Sequence, residues 1–107
     1  LSYIRYVGNP EKKITMVGNC WGGVGLTMNR YAMIRQIENG AEAIICGEFD
    51  ESNVFFAQEC DICLIETSHV SSENIGLREF AKSLSTIFEK IPVKFYELEA
   101  PLKAKIF

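Results

Sequence analysis

His69, the only histidine of the chain, stands four residues ahead of Glu73 in Thr67-Ser68-His69-Val70-Ser71-Ser72-Glu73. An imidazole and a carboxylate placed there can bind a divalent metal, and zinc, manganese, iron and magnesium are all compatible with two nitrogen and oxygen ligands. Two ligands do not complete a site, so this pair alone should bind metal weakly. The structural alternative makes Glu73 an ordinary first-turn acid and His69 a loop residue bonded to backbone. Position favours the chemical reading. The pair follows the apolar run Ile62-Cys63-Leu64-Ile65, and loops behind buried strands are where open α/β sheets place ligands and catalytic groups. The small hydroxylated neighbours leave room for a ligand and offer supporting hydrogen bonds.

Three further groups could do chemistry. Glu48, in the acidic loop Gly47-Glu48-Phe49-Asp50-Glu51-Ser52, is a candidate general base or hydrogen-bond support for a metal ligand. Asp50 and Glu51 read as capping and solvated charge. The loop Gly18-Asn19-Cys20-Trp21-Gly22-Gly23-Val24-Gly25 has free amides that can hold an anion at a helix N-terminus. It lacks the P-loop ending and the dinucleotide spacing, and a tight turn with close packing explains it equally well. Trp21 at its tip either packs on the domain or faces a substrate. Cys60 and Cys63 have redox or zinc spacing, but there is no second pair, and Cys63 sits in an apolar strand where a free cysteine packs as a small hydrophobe.

The elements that position these groups follow from patterning. Residues 2–7 and 13–17 are short strand candidates, each ended by a glycine turn signal. Residues 26–39 read as a helix closed by Gly40, and 43–46 as a buried strand. A helix capped by Asp50 or Ser52 runs to about Gln58. The strand at 62–65 leads into the His69 loop and a helix over 72–90, capped by Ser71 or Ser72, with Glu73 in its first turn. Leu77, Phe80, Ala81, Leu84, Ile87, Phe88 and Ile91 recur at helical spacing, which predicts one buried face. Pro92 stops this helix, residues 93–98 alternate as a final strand, and 100–107 form a tail that can extend into a partner. The expected fold is a three-layer α/β domain, with a largely parallel sheet of about five strands and three helices. Strands 43–46 and 62–65 should be central, and 2–7 the edge or antiparallel member.

With 107 residues there is one domain, spanning 1–107, and one core. A net charge of −3 with scattered basic residues excludes phosphate-backbone binding, so no nucleic-acid partner is expected. No apolar run approaches the roughly 20 residues needed to span a bilayer, so no membrane partner is expected either. Four cysteines beside this much core need no disulfide framework, and a reduced, cytoplasmic setting is the simpler reading.

From Ile14 to Leu98 the order of motifs resembles the C-terminal half of the NGG-interacting-factor-three-like family, whose members are described as GTP cyclohydrolase type-two homologues. The resemblance rests on the glycine-rich loop, the strand ending in Gly47-Glu48, and Ser68-His69-x-x-x-Glu73 followed by Gly76-Leu77. It implies a dinuclear metal site built from a histidine pair and an aspartate in the N-terminal half, completed by His69 and by Glu73 as a bridging ligand. It also implies a homo-oligomer, a toroidal hexamer, with metal-dependent hydrolase or cyclohydrolase chemistry on a small molecule or nucleotide. Ser68 departs from the family's usual glycine. No histidine pair is present, so the chain is expected to be the C-terminal half of a longer metal-binding protein, which its start at Leu1 favours. Otherwise it borrows ligands from another chain, or its site has decayed. The competing expectation is a non-catalytic oligomerisation or protein-interaction module with a vestigial metal site. A third, anion or nucleotide sensing by the glycine loop, requires protection of the helix that starts near Leu26.

Overall fold

The computed structural model describes residues 4–99. Residues 100–107, and the start of the strand expected at 2–7, lie outside the described residues. Four strands form one sheet: β1 (Arg5–Val7), β2 (Val17–Trp21), β3 (Ala43–Cys46) and β4 (Cys63–Glu66). Their order is β1-β4-β3-β2. The apolar β3 and β4 are central and parallel, with Ile44 opposite Leu64 and Ile45 opposite Ile65. β2 runs parallel on one edge, and β1 is antiparallel on the other. The helices are α1 (Arg30–Glu38), introduced by a 3-10 turn at Thr27–Asn29, α2 (Glu51–Glu59) and α3 (His69–Ile87).

Strand alternation decides the faces. Ile44, Cys46 and Leu64 point to one face and form the core with Val7, Val24, Met33 of α1 and Ala57 of α2. Ile45 points to the other face, where it lines a cavity with Gly76 and Leu77 of α3. Two helices thus cover one side, and the N-terminal part of α3 stands on the other.

Four expectations need correction. The second strand lies at Val17–Trp21 and not at 13–17. Before it, the Glu42 carboxylate accepts from the Thr15 amide (2.6 Å), the Thr15 hydroxyl (2.9 Å) and the Met16 amide (3.2 Å), which replaces ladder bonding there. The stretch read as a final strand, 93–98, is not in the sheet, which has four strands among the described residues. That stretch is tied to α3 instead. Asn74 Nδ2 donates to Leu98 O (2.7 Å), Arg78 pairs with Glu97 (2.8 Å), and the Arg78 guanidinium lies over the Phe95 ring. α3 begins at His69, so Glu73 falls in its second turn. Finally, α3 buries none of its residues. Leu77, Phe80, Ile87, Phe88 and Ile91 are all exposed, although their periodicity predicts a covered face.

Asp50 is the cap of α2: its carboxylate accepts from the Asn53 amide (3.0 Å) and from the Thr27 amide (2.7 Å) and hydroxyl (2.5 Å). Burial pulls its pKa up, but the Thr27 and Asn53 donors outweigh that and leave it below the usual 3.8. The stability it contributes is therefore present above the unfolded value and lost as pH falls through the lower folded value. Asp50→Ala is expected to cost about 1 kcal/mol at neutral pH. In urea melts the difference from the parent should shrink on acidification below about pH 4; a difference independent of pH would remove the carboxylate from the cap.

Candidate metal centre

Three loops meet at the C-terminal ends of β2, β3 and β4. The glycine loop is locked to the β3–α2 loop by one carbonyl, since Gly22 O accepts from the amides of Gly47 (2.8 Å) and Glu48 (3.0 Å). The β4–α3 loop is tied to the same place, with Thr67 donating its amide (2.9 Å) and hydroxyl (3.1 Å) to Cys46 O. Asn53, fully buried, braces the glycine loop from below. Its Nδ2 donates to Gly25 O (2.9 Å), and its Oδ1 accepts from Arg30 Nε (2.7 Å).

On this platform α3 starts abruptly. Ser68 precedes it with φ 71° and ψ 132°, and its side chain makes no capping bond. That backbone region is costly for a residue with a Cβ, about 1–3 kcal/mol, and free for glycine. Ser68→Gly is therefore expected to raise stability by about 1 kcal/mol, read as an upward shift of Tm. A neutral or lower Tm would mean that the hydroxyl has a partner.

His69 is the first residue of α3, so Glu73, four residues on, shares its helical face. His69 Nε2 lies 2.9 Å from Glu73 Oε1, and Nδ1 lies 2.5 Å from Glu48 Oε1. Glu48 thus stands on the far side of the imidazole from Glu73, where it can hold ring and tautomer. It does not converge with Glu73 on a common point. Its hydrogen bond holds the His69 pKa above the ordinary 6.5, against the opposing effect of burial and with further help from Glu73. The ring packs against Gly22, where a Cβ would lie 2.2 Å from His69 Nε2 and 2.8 Å from Glu73 Oε1. A side chain at position 22 would therefore displace the pair.

The donor set fits half of a metal centre. A ligand histidine commonly donates one ring N–H to a carboxylate, as His69 Nδ1 can to Glu48, and turns its other nitrogen to the metal. Among the described residues, however, no group of three His, Cys, Asp or Glu is disposed to hold an ion. Cys46 and Cys63 are buried, and Cys60 is exposed. What sequence reasoning missed is the support: the Gly22 carbonyl clasp and the buried Asn53, for which an isolated glycine or asparagine gives no pattern.

Comparison with known proteins identifies the family and supports the fold. A profile of the family described as Duf34/NIF3 (NGG1p interacting factor 3) matches residues 1–101. A GTP cyclohydrolase 1 type 2 homolog of Neisseria meningitidis is 29% identical over 82 residues, covering 77% of this chain and 31% of the relative. Two crystal structures of Staphylococcus aureus protein SA1388 share the fold. One has a TM-score of 0.68 at 19% identity, covering 97% of this chain and 33% of the other. The second has a TM-score of 0.66 at 20% identity, covering 96% and 29%. The chain spans about a third of the length of the relatives it matches.

Proposed function

The chain belongs to the Duf34/NIF3 family, and we propose that it forms part of a divalent-metal-binding protein of the metal-dependent hydrolase, cyclohydrolase-like kind. In this reading His69 and Glu73 contribute to a dinuclear site. The observation that carries it is the approach of His69 Nε2 to Glu73 Oε1 at 2.9 Å, with Glu48 on the opposite ring nitrogen. Two ligands of one ion sit side by side in this way, and a carboxylate behind the ligand imidazole fixes its orientation.

Each residue then has a task. His69 offers Nε2 to zinc, manganese, iron or magnesium. Glu73 offers its carboxylate, which can bridge two ions. Glu48 holds the Nδ1 proton and the ring orientation, so that Nε2 is the nitrogen that would face a metal, which would have to displace the proton Nε2 shares with Glu73. When bound, the ions would supply Lewis acidity and a water activated at neutral pH. Gly22 and Gly47 keep side chains out of the space beside the pair. The remaining ligands come from outside these residues, as the incomplete donor set requires.

Elemental analysis of the purified protein tests this. His69→Ala and Glu73→Ala are expected to lose bound metal, and Glu48→Gln to lower metal affinity about 10- to 100-fold. Unchanged occupancy in all three would remove the assignment.

One observation favours a second reading, a non-catalytic oligomerisation or protein-interaction module. The apolar stripe of α3 continues on the face that carries His69 and Glu73, with Phe80 59% and Ile87 69% exposed. Contiguous exposed apolar surface of this kind marks an interaction face. The two readings are compatible in a homo-oligomer whose interface adjoins the site.

Among the described residues no helix is long and apolar enough to cross a membrane.

A further inference from the structure

β2 pairs with β3 on one side, and among the described residues no strand lies on its other side. Met16 O turns toward β3, where it accepts from the Glu42 amide (3.0 Å). Backbone groups alternate in direction along a parallel strand, so the amide and carbonyl of Val17 point outward. The side chains beside them are apolar and accessible, with Val17 51% and Met16 49% exposed. An edge of this kind is a template for a further strand.

Residues 93–98 have the complementary property, an extended stretch whose backbone is unused. Val93 and Phe95 are half-buried while Lys94 and Tyr96 are exposed, the period-two alternation of a strand. Among the described residues, Leu98 O is the only backbone group of the stretch with a hydrogen-bond partner, the Asn74 side chain (2.7 Å). The other polar ties to α3 both come from Arg78, to the Glu97 carboxylate and over the Phe95 ring. Arg78 and Glu97 are well exposed, and an ion pair in that setting holds little against water.

Direction and handedness single out where such a strand belongs. The chain steps from β2 to β3 to β4 with α1 and α2 on one face, whereas α3 stands on the other. Crossovers between parallel strands are almost always right-handed. A helix on the opposite face keeps that hand only if the chain steps the opposite way, from β4 back past β3 to the outer edge of β2. α3 runs back over the sheet from His69, with Gly76 and Leu77 beside Ile45. The stretch runs antiparallel to α3, since Phe95 and Glu97 meet Arg78 and Leu98 meets Asn74, one turn earlier. It therefore already points the way a strand parallel to β2 must point, and its length suits Val17–Trp21.

We propose that the outer edge of β2 is the docking site of residues 93–98 of the same chain, which exchange between the position on α3 and a parallel fifth strand. Arg78 and Asn74 are the latch of the undocked position. The docked strand ends beside Trp21 and walls the cavity that Trp21 lines with Thr67 and Glu73. The undocked stretch leaves that side open. This exchange does not depend on whether His69 and Glu73 hold a metal.

Amide hydrogen exchange followed by NMR on the full chain, at two protein concentrations, tests this. Arg78→Ala removes both Arg78 contacts and is expected to slow exchange of the Val17 amide at least about tenfold. The amide of Ile44, in the centre of the sheet, should stay as protected as in the parent and so report an intact fold. Phe95→Pro combined with Tyr96→Pro takes out two adjacent donors, one of which must face β2 in any register. Added to Arg78→Ala, this pair is expected to restore fast exchange at Val17 with Ile44 still protected, because neither amide is bonded in the undocked position. Val17 exchange unchanged by Arg78→Ala overturns the proposal, and so does Val17 protection that survives the two prolines. Protection that rises with protein concentration also overturns it, because the strand on β2 then comes from a second copy.

Discussion

Gly47→Ala is expected to lower stability by about 3 kcal/mol or more, a fall in Tm of about 12 °C or more in thermal unfolding followed by circular dichroism. A Cβ at this position would lie 2.5 Å from His69 Cα, 2.7 Å from Gly22 Cα and 2.8 Å from Gly22 O. All three are backbone atoms of the loops that build the site, so no side chain can swing away to relieve the contact. Relief requires the glycine loop and the start of α3 to part, which breaks the bonds from the Gly47 and Glu48 amides to Gly22 O. Gly76→Ala is the matching control. Its Cβ meets nothing, and alanine is favoured over glycine in a helix interior by about 1 kcal/mol. Opposite signs at the two glycines are therefore expected. A mild Gly47→Ala would mean that the loops are looser than their hydrogen bonds imply.

The second large effect concerns assembly. Phe80→Glu combined with Ile87→Glu is expected to weaken self-association at least about 100-fold, read by sedimentation across a concentration series. Both side chains are more than half exposed within the chain, so glutamate should cost its own fold little. Covered by a second copy, each would be worth about 1.5–3 kcal/mol of apolar burial, and the introduced charge adds a desolvation cost. The pair is seven residues apart and lies on one face of α3. An unchanged sedimentation profile would remove this face from the assembly surface.

How much of this was legible in the sequence depends on how local each signal is. The continuous apolar runs of β3 and β4 announced central strands, and Gly40 announced the end of α1 with its positive φ. Asp50 was recognisable as a cap because capping is a contact three residues long. His69 and Glu73 could be paired from spacing alone. The departures are tertiary. Nothing in residues 13–17 indicates that Glu42, 27 residues beyond Thr15, takes over their hydrogen bonds. The alternation of 93–98 is real, yet those residues are engaged by Asn74 and Arg78. The sequence does not place the start of α3, because Ser68, Ser71 and Ser72 are the same residue type and equally good caps. The chain instead enters the helix through a strained Ser68, which brings His69 onto the same helix as Glu73. The periodicity of α3 reports a helix with one apolar face, but the burial it predicts is not found, because none of the described elements packs over that face.

Anomalous diffraction from crystals of the protein, collected above and below the absorption edge of its bound metal, tests the central claim most directly. An anomalous peak is expected within about 2.0–2.2 Å of both His69 Nε2 and a Glu73 carboxylate oxygen, with Glu48 still on Nδ1. A peak elsewhere, or a metal-replete protein in which His69 and Glu73 still contact each other directly with no peak between them, would contradict it.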